Sequence, residues 1–367
     1  MIKIGVFIPI GSRGWLISTT SPKTTPSFDL NRTIVLQAEH YGLDFALSMI
    51  KLRGFGGPSG YWDQNLESFT LMAGLASITR KIKLFASVAV LTMPPPFAAR
   101  MAVTIDSIAP GRFGMNIVSG WQPTEYQQMG IWPGEAHFAK RYEYCSEYVT
   151  IMRELWETGR SNHKGEFFTM DDCRLAPPPS APIEIVGAAQ SDRGMRFVAE
   201  HGDYCFCGAG GLNQPERAAP VAARLLKAAE GTGRDVGALI LLMIIADSTD
   251  ALAMAKWDHY KAGVDLEALA WQKAQAAADT QASTQSTVGQ MIAQQKAEPI
   301  PTGMLKLIGS YENVARMLDE VAAAPGVKGI LMTFDDFVIG MEQFGQYIQP
   351  LMKSRQPDSA TAMGAAA

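Results

Sequence analysis

Paired metal ligands are missing from this sequence, and so is a cysteine framework. Cys145, Cys173, Cys205 and Cys207 contain no C-x-x-C pair, so neither a disulfide scaffold nor a zinc site is suggested. The five histidines (His40, His137, His163, His201 and His259) show no H-x-x-x-H spacing, which removes the commonest metal signatures. Charge is scarce as well: charged residues make up 19% of 367 residues, the net charge is -4 and no basic stripe exists. That balance argues against nucleic acid as a partner. The N-terminal MIKIGVFIPI meets Pro9 and Gly11, too soon for a signal h-region or a membrane span. A cytoplasmic protein with no membrane partner is expected. No Pro/Gly/Ser-rich linker divides the chain, so one domain over residues 1–355 is expected, with the Ala/Ser-rich residues 356–367 as a disordered tail.

What the sequence has is a hydrophobic content of 47%, and it is laid out in alternating strands and helices. Apolar runs at Lys3–Ile10, Asp44–Ile50, Lys83–Leu91, Phe113–Val118, Ile183–Gly187, Asp203–Cys207, Ala238–Ala246 and Gly329–Phe334 read as strands. Helical periodicity follows each of them, as in Asp29–Tyr41, Leu66–Thr79, Phe97–Ile108 and Ser310–Ala323. Near-continuous apolar strands separated by helices mark a covered parallel sheet. Eight such units predict an α/β fold, a (β/α)8 TIM barrel, with insertions after strands 4 and 7. The first insertion holds a long loop over Gln122–Phe138, a helix over Lys140–Trp156 and the segment Ser161–Pro182. The second is a polar Gln/Ala/Thr-rich segment over Ala268–Pro301, expected to be partly helical and carrying no nameable chemistry. The Gly-rich LRGFGGPSGYW has no helix directly after it, which excludes a dinucleotide fingerprint; it reads either as a lid or as an ordinary surface loop.

Gly111–Tyr126 is the stretch most suited to chemistry. A dry strand opens there into Ser119, Gly120, Trp121, Gln122 and Glu125, as at the C-terminal mouth of a barrel. Asn116 is polar inside the apolar run and needs a partner; a core amide satisfied by backbone and a site amide both fit. Trp121 either offers a flat wall for a planar ligand or fills the barrel mouth. A second informative turn follows strand five, at Ala188-Ala189-Gln190-Ser191-Asp192. Ser191 reads as an N-cap, yet Gly194 stands where a capping box has an acid, so helix amides are left for an anion such as phosphate.

Longer stretches add a resemblance. KIGVFIPIG, DFALSMIKLRGFGG, NLESFTLMAGLA, VTIDSIAPGRFG, SGWQPTEYQQMGIWPG, the QSD turn, SYENVARMLDEVA and LMTFDDF together resemble the Rut-pathway pyrimidine monooxygenase family, within the luciferase-like class of flavin-dependent monooxygenases. The likeness covers nearly the whole chain. It implies a barrel that takes reduced FMN from a separate NADH:flavin reductase, uses O2 as co-substrate, and opens uracil or thymine between N3 and C4. Ureidoacrylate, or its peracid, would be the product, in pyrimidine degradation for nitrogen. Carried over residue by residue, the likeness places Ile50, Lys51, Asn116, Glu125, Arg141, Tyr142 and Ser191 at the flavin, the last three as a phosphate grip. Asn116, Ser87, Leu47, Met49 and Trp121 fall on the reacting side. The family pattern has Thr at Ser87 and Gly at Ala189, changes that touch the oxygen-side wall and the phosphate turn. A homo-oligomer, dimer or tetramer, is expected.

Rival readings are a related two-component monooxygenase acting on an alkanesulfonate or another nitrogen heterocycle, a deazaflavin-dependent hydride-transfer enzyme, and a non-catalytic flavin-binding protein. A sulfonate would call for several basic residues at the pocket, which the loop after strand four does not offer.

Overall fold

The computed structural model describes residues 1–279, 281 and 299–356. The expected tail and most of the polar segment before Pro299 lie outside these residues. The main strands are β1 Lys3–Ile8, β2 Phe45–Ser48, β3 Lys83–Ala89, β4 Phe113–Val118, β7 Glu184–Gly187, β8 Tyr204–Gly208, β9 Gly237–Asp247 and β11 Val327–Phe334. Each pairs in parallel with its neighbours, and β9 joins both β8 and β11, so the sheet closes as an eight-stranded barrel. The α/β barrel expected from the alternating pattern is therefore present.

The strand interiors explain the closure. Nearly every residue of β1, β4 and β9 is buried, because parallel strands are covered by helices outside and by packed side chains within. Gly5 on β1 and Gly114 on β4 are required by close approach: a Cβ at either would overlap the ring of Phe45 or Phe85. Those two rings meet edge to face at 5.8 Å. Outside the barrel lie α1 Phe28–His40, capped by Ser27, α2 Ser68–Ile78 and α3 Pro95–Ile108, whose prolines stand at its first positions, where no backbone N–H is needed.

Three details differ from the sequence reading. A ninth strand, β10 Leu305–Ser310, was not anticipated; β9 is eleven residues long, pairs with β8 over its first half and with β10 over its second. The long loop after β4 contains a short helix, α4 Pro123–Gln127. The segment after α5 Ala136–Thr158 contains a small antiparallel pair, β5 Arg160–Ser161 with β6 Cys173–Arg174. After β7 come α6 Asp192–His201, α7 Ala218–Ala229, α8 Asp250–Ala262 and α9 Leu266–Ala277, the last lying over the barrel mouth. No helix among the described residues is long and apolar enough to cross a membrane.

Candidate active site

A cavity of about 1830 Å³, counted out to its open mouth, sits at the C-terminal ends of the strands. It is lined by Phe7 from β1, Met49–Leu52 after β2, Ala89 at the end of β3, Val118–Trp121 from the end of β4 onward, Ala188–Ser191 after β7, and Phe206, Gly208 and Ala209 around β8. Leu269, Gln272 and Asp279 on and after α9 close it from above, and residues 300–304 close one side. Barrel active sites occupy this face.

Of the residues singled out from the sequence, Met49, Ile50, Lys51, Trp121, Glu125, Arg141, Tyr142 and Ser191 line the cavity. Leu47, Ser87 and Asn116 do not; each precedes a lining residue by two along its strand, and so points to the same side one step deeper. There the Asn116 amide donates to Ser87 Oγ at 2.7 Å, and the Ser87 hydroxyl donates to the Ser48 carbonyl. The core partner of Asn116 is thus a side-chain hydroxyl, not backbone. The Asn116 nitrogen is satisfied inside the core, while its Oδ1 is buried with no partner among the described residues. A buried orphan acceptor costs about 1–3 kcal/mol, and a donor entering from above would relieve it.

One end of the cavity is aromatic. Lys51 is enclosed there, with its ammonium 4.7, 5.0 and 5.7 Å from the ring centres of Phe55, Trp121 and Trp62. It lies 3.2 Å from Glu125 Oε1 and donates to Gln122 Oε1. Burial pulls the Lys51 pKa down, and the nearby Glu125 carboxylate opposes that pull. Glu125 Oε1 also accepts the Leu52 N–H at 2.8 Å, so one carboxylate fixes both the lysine and the loop that follows it. The Gly-rich loop supplies this cage: Phe55 and Tyr61 are buried against Leu269 and Ala268 of α9, and Tyr61 stacks on Trp62 at 4.5 Å.

The other end is polar. Tyr142 Oη stands 3.2 Å from Ser191 Oγ, which caps α6 by accepting the Gly194 N–H. Gly194 makes the approach possible, since a Cβ there would lie 2.6 Å from both Tyr142 Oη and the Ala189 methyl. Burial raises the Tyr142 phenol, keeping it a neutral donor. Arg141 lies within 5.2 Å of the Tyr142 ring, and its Nη1 is held by Asp279 Oδ2 at 2.7 Å. Its Nε is buried without a partner among the described residues.

Sequence reasoning missed Tyr61, Trp62, Gln272, Asp279 and His137. His137 is kept neutral chiefly by burial, and its Nε2 meets the Ser119 carbonyl at 2.6 Å. A neutral ring makes that bond only as the Nε2–H tautomer, and so fixes the corner leading to Trp121. One signal for Asp279 was present: it is the single acid between Glu267 and Glu298.

A parallel barrel with its cavity at the strand C-termini and a donor-rich turn after β7 defines a class, and the comparisons agree with it. The luciferase-like monooxygenase family matches residues 2–328, and the chain belongs to that family, whose members depend on flavin. Within it, the chain is 68% identical to the pyrimidine monooxygenase RutA of Allorhizobium ampelinum, over 100% of both chains. It is 59% identical to the protein of the same name from Yersinia enterocolitica, over 96% of each. Among solved structures, the riboflavin lyase RcaE, with modified FMN and riboflavin, superposes with a TM-score of 0.84 at 20% identity, covering 97% of this chain and 92% of the other. The long-chain alkane monooxygenase LadA gives 0.78 at 18%, covering 95% and 90%. At such identities these structures bear on the fold alone.

Proposed function

We propose that this protein is a pyrimidine monooxygenase. It takes reduced FMN from an NADH-dependent reductase and uses O2 to open uracil or thymine between N3 and C4, giving ureidoacrylate or its peracid. It does so as one domain over residues 1–355, in the cytoplasm and as a homo-oligomer. The observation that carries the reading is the division of the cavity. Arg141, Tyr142, Ser191 and the start of α6 make a donor-rich end, suited to a phosphate. Phe55, Trp62 and Trp121 around Lys51 make a flat, dry end, suited to planar rings. The unpartnered Arg141 Nε and Asn116 Oδ1, and the space kept by Gly194, fit a flavin lying between them. The relatives named above, similar over their full length, support the same substrate class.

Bound flavin supplies the redox chemistry with oxygen. The chain's own residues bind, orient and exclude water. Trp121 and Trp62 wall off solvent and offer faces to a pyrimidine. The Lys51 ammonium, fixed by Glu125 and Gln122, is a preorganised donor for a carbonyl oxygen that gains charge. Asn116 offers its free Oδ1 upward to an N–H. An anionic substrate such as a sulfonate is disfavoured, because the cation at the aromatic end is already matched by Glu125.

The test is incubation of the protein in air with FMN, NADH, a flavin reductase and uracil, with mass spectrometry of the products. Ureidoacrylate or its peracid is expected only when all components are present. No ring opening under these conditions refutes the reading.

A further inference from the structure

Arg141, the cation at the polar end of the cavity, does not face the phosphate seat alone. Its Nη1 is bound to Asp279 at 2.7 Å, with side-chain exposures of 6% for Arg141 and 0% for Asp279. The other Asp279 oxygen accepts the Gln281 N–H at 3.0 Å, so the carboxylate is anchored on both sides. Asp279, Arg141, Tyr142 and Ser191 all line the same cavity, and they place one cation and one anion beside a seat otherwise made of neutral donors. No other acid stands between Glu267 and Glu298, so this carboxylate does not belong to a generally acidic surface.

We propose that Asp279 sets the FMN affinity of this protein by competing with the flavin phosphate for Arg141. The proposal rests on the FMN reading given above. A phosphate dianion that reaches Arg141 meets a carboxylate already bound to it. The two anions share one guanidinium, and their repulsion falls on the phosphate-bearing ligand alone. A chain that receives reduced flavin from another protein has to release oxidised flavin after each turnover, and a built-in competitor keeps that release fast. Asp279 acts through Arg141 and is a positioning residue with an electrostatic effect; it takes no part in the chemistry.

The experiment measures dissociation constants of FMN and of riboflavin, which lacks the phosphate, by quenching of flavin fluorescence. The proteins are the unmodified chain, D279N, D279S and R141M, each with its melting temperature. D279N keeps the shape and one acceptor for Arg141; D279S is the second variant should D279N fail to fold. The expected result is FMN binding at least about tenfold tighter in the Asp279 variants, riboflavin binding unchanged, and slower FMN release in a displacement experiment. R141M is expected to lose the preference for FMN over riboflavin. If R141M loses that preference while the Asp279 variants bind FMN no tighter, the inference fails and the phosphate grip stands. If R141M keeps the preference, the grip fails and the inference falls with it. Equal weakening of both flavins with a lowered melting temperature in the Asp279 variants, or failure of both to fold, assigns Asp279 to the framework and overturns the proposal.

Discussion

Glu125→Gln is the most informative single change, because it removes a charge and little else. The glutamine side chain has nearly the same volume and retains an acceptor for the Leu52 N–H and for Lys51. What it loses is the countercharge 3.2 Å from a buried ammonium. At that separation and an effective dielectric constant of about 20, the gross attraction is about 5 kcal/mol. Breaking a buried pair by removing one partner costs roughly 3–5 kcal/mol. Three aromatic faces within 6 Å hold the cation alike in both proteins, so the destabilisation expected near pH 7 is about 3–5 kcal/mol.

The sign of the pH dependence follows from burial. Lys51 titrates below an ordinary lysine in the folded chain, so the native state gives up this proton at lower pH than the unfolded chain does. Stability contributed through Lys51 therefore rises as pH climbs from the lowered native value toward the unfolded one near 10.5. Without Glu125 the native value drops further, and the deficit of the variant narrows at alkaline pH. Urea or thermal unfolding of the unmodified protein, E125Q, K51M and the double variant, at about pH 7 and about pH 9.5, closes the cycle. A Lys51–Glu125 coupling of about 2 kcal/mol or more at the lower pH, smaller at the higher, is expected. A coupling below about 0.5 kcal/mol at the lower pH, or a deficit that grows with pH, refutes the argument.

Asn116→Ala removes both the donor to Ser87 and the unpartnered Oδ1; product formed per NADH consumed is expected to fall on the order of tenfold or more, while flavin binding changes less. An unchanged yield excludes Asn116 from the reaction. Gly194→Ala brings a methyl to 2.6 Å from Tyr142 Oη and from the Ala189 Cβ. Overpacking of this kind costs about 1–3 kcal/mol, so FMN binding is expected to weaken by roughly 5- to 150-fold in a fluorescence titration. Unchanged affinity would show that the approach of Tyr142 to α6 is no part of the flavin seat.

The barrel was legible because its strands are locally written: β9 is apolar from Ala238 to Ala246, β4 is broken only by Asn116, and helices such as α1, α6 and α8 carry their N-cap residues in the sequence. β10 was not, because LKLIGS is short, carries Lys306, and exists as a strand for a tertiary reason. β9 outlasts β8, and its upper half, Leu242–Asp247, has to bond to something; Leu305–Ser310 lies beside it. The site divides in the same way. Asn116 could be picked out because an amide in an apolar run breaks a local pattern. Phe55, Tyr61 and Trp62 could not, since a Gly-rich loop with aromatics looks like exposed surface until α9 is laid over it.

The ion pairs are the least legible feature and chemically the most telling. Lys51 meets Glu125 and Arg141 meets Asp279, and partners so far apart along the chain leave no spacing to recognise. Together they put two cations and two anions on the described cavity wall, so each end keeps a fixed donor while these two pairs add no net charge to it. A pocket built this way attracts little by long-range field and discriminates through shape and hydrogen bonds. That suits a neutral pyrimidine, and it leaves the one anionic group expected to enter, the flavin phosphate, dependent on the partner that Arg141 already has.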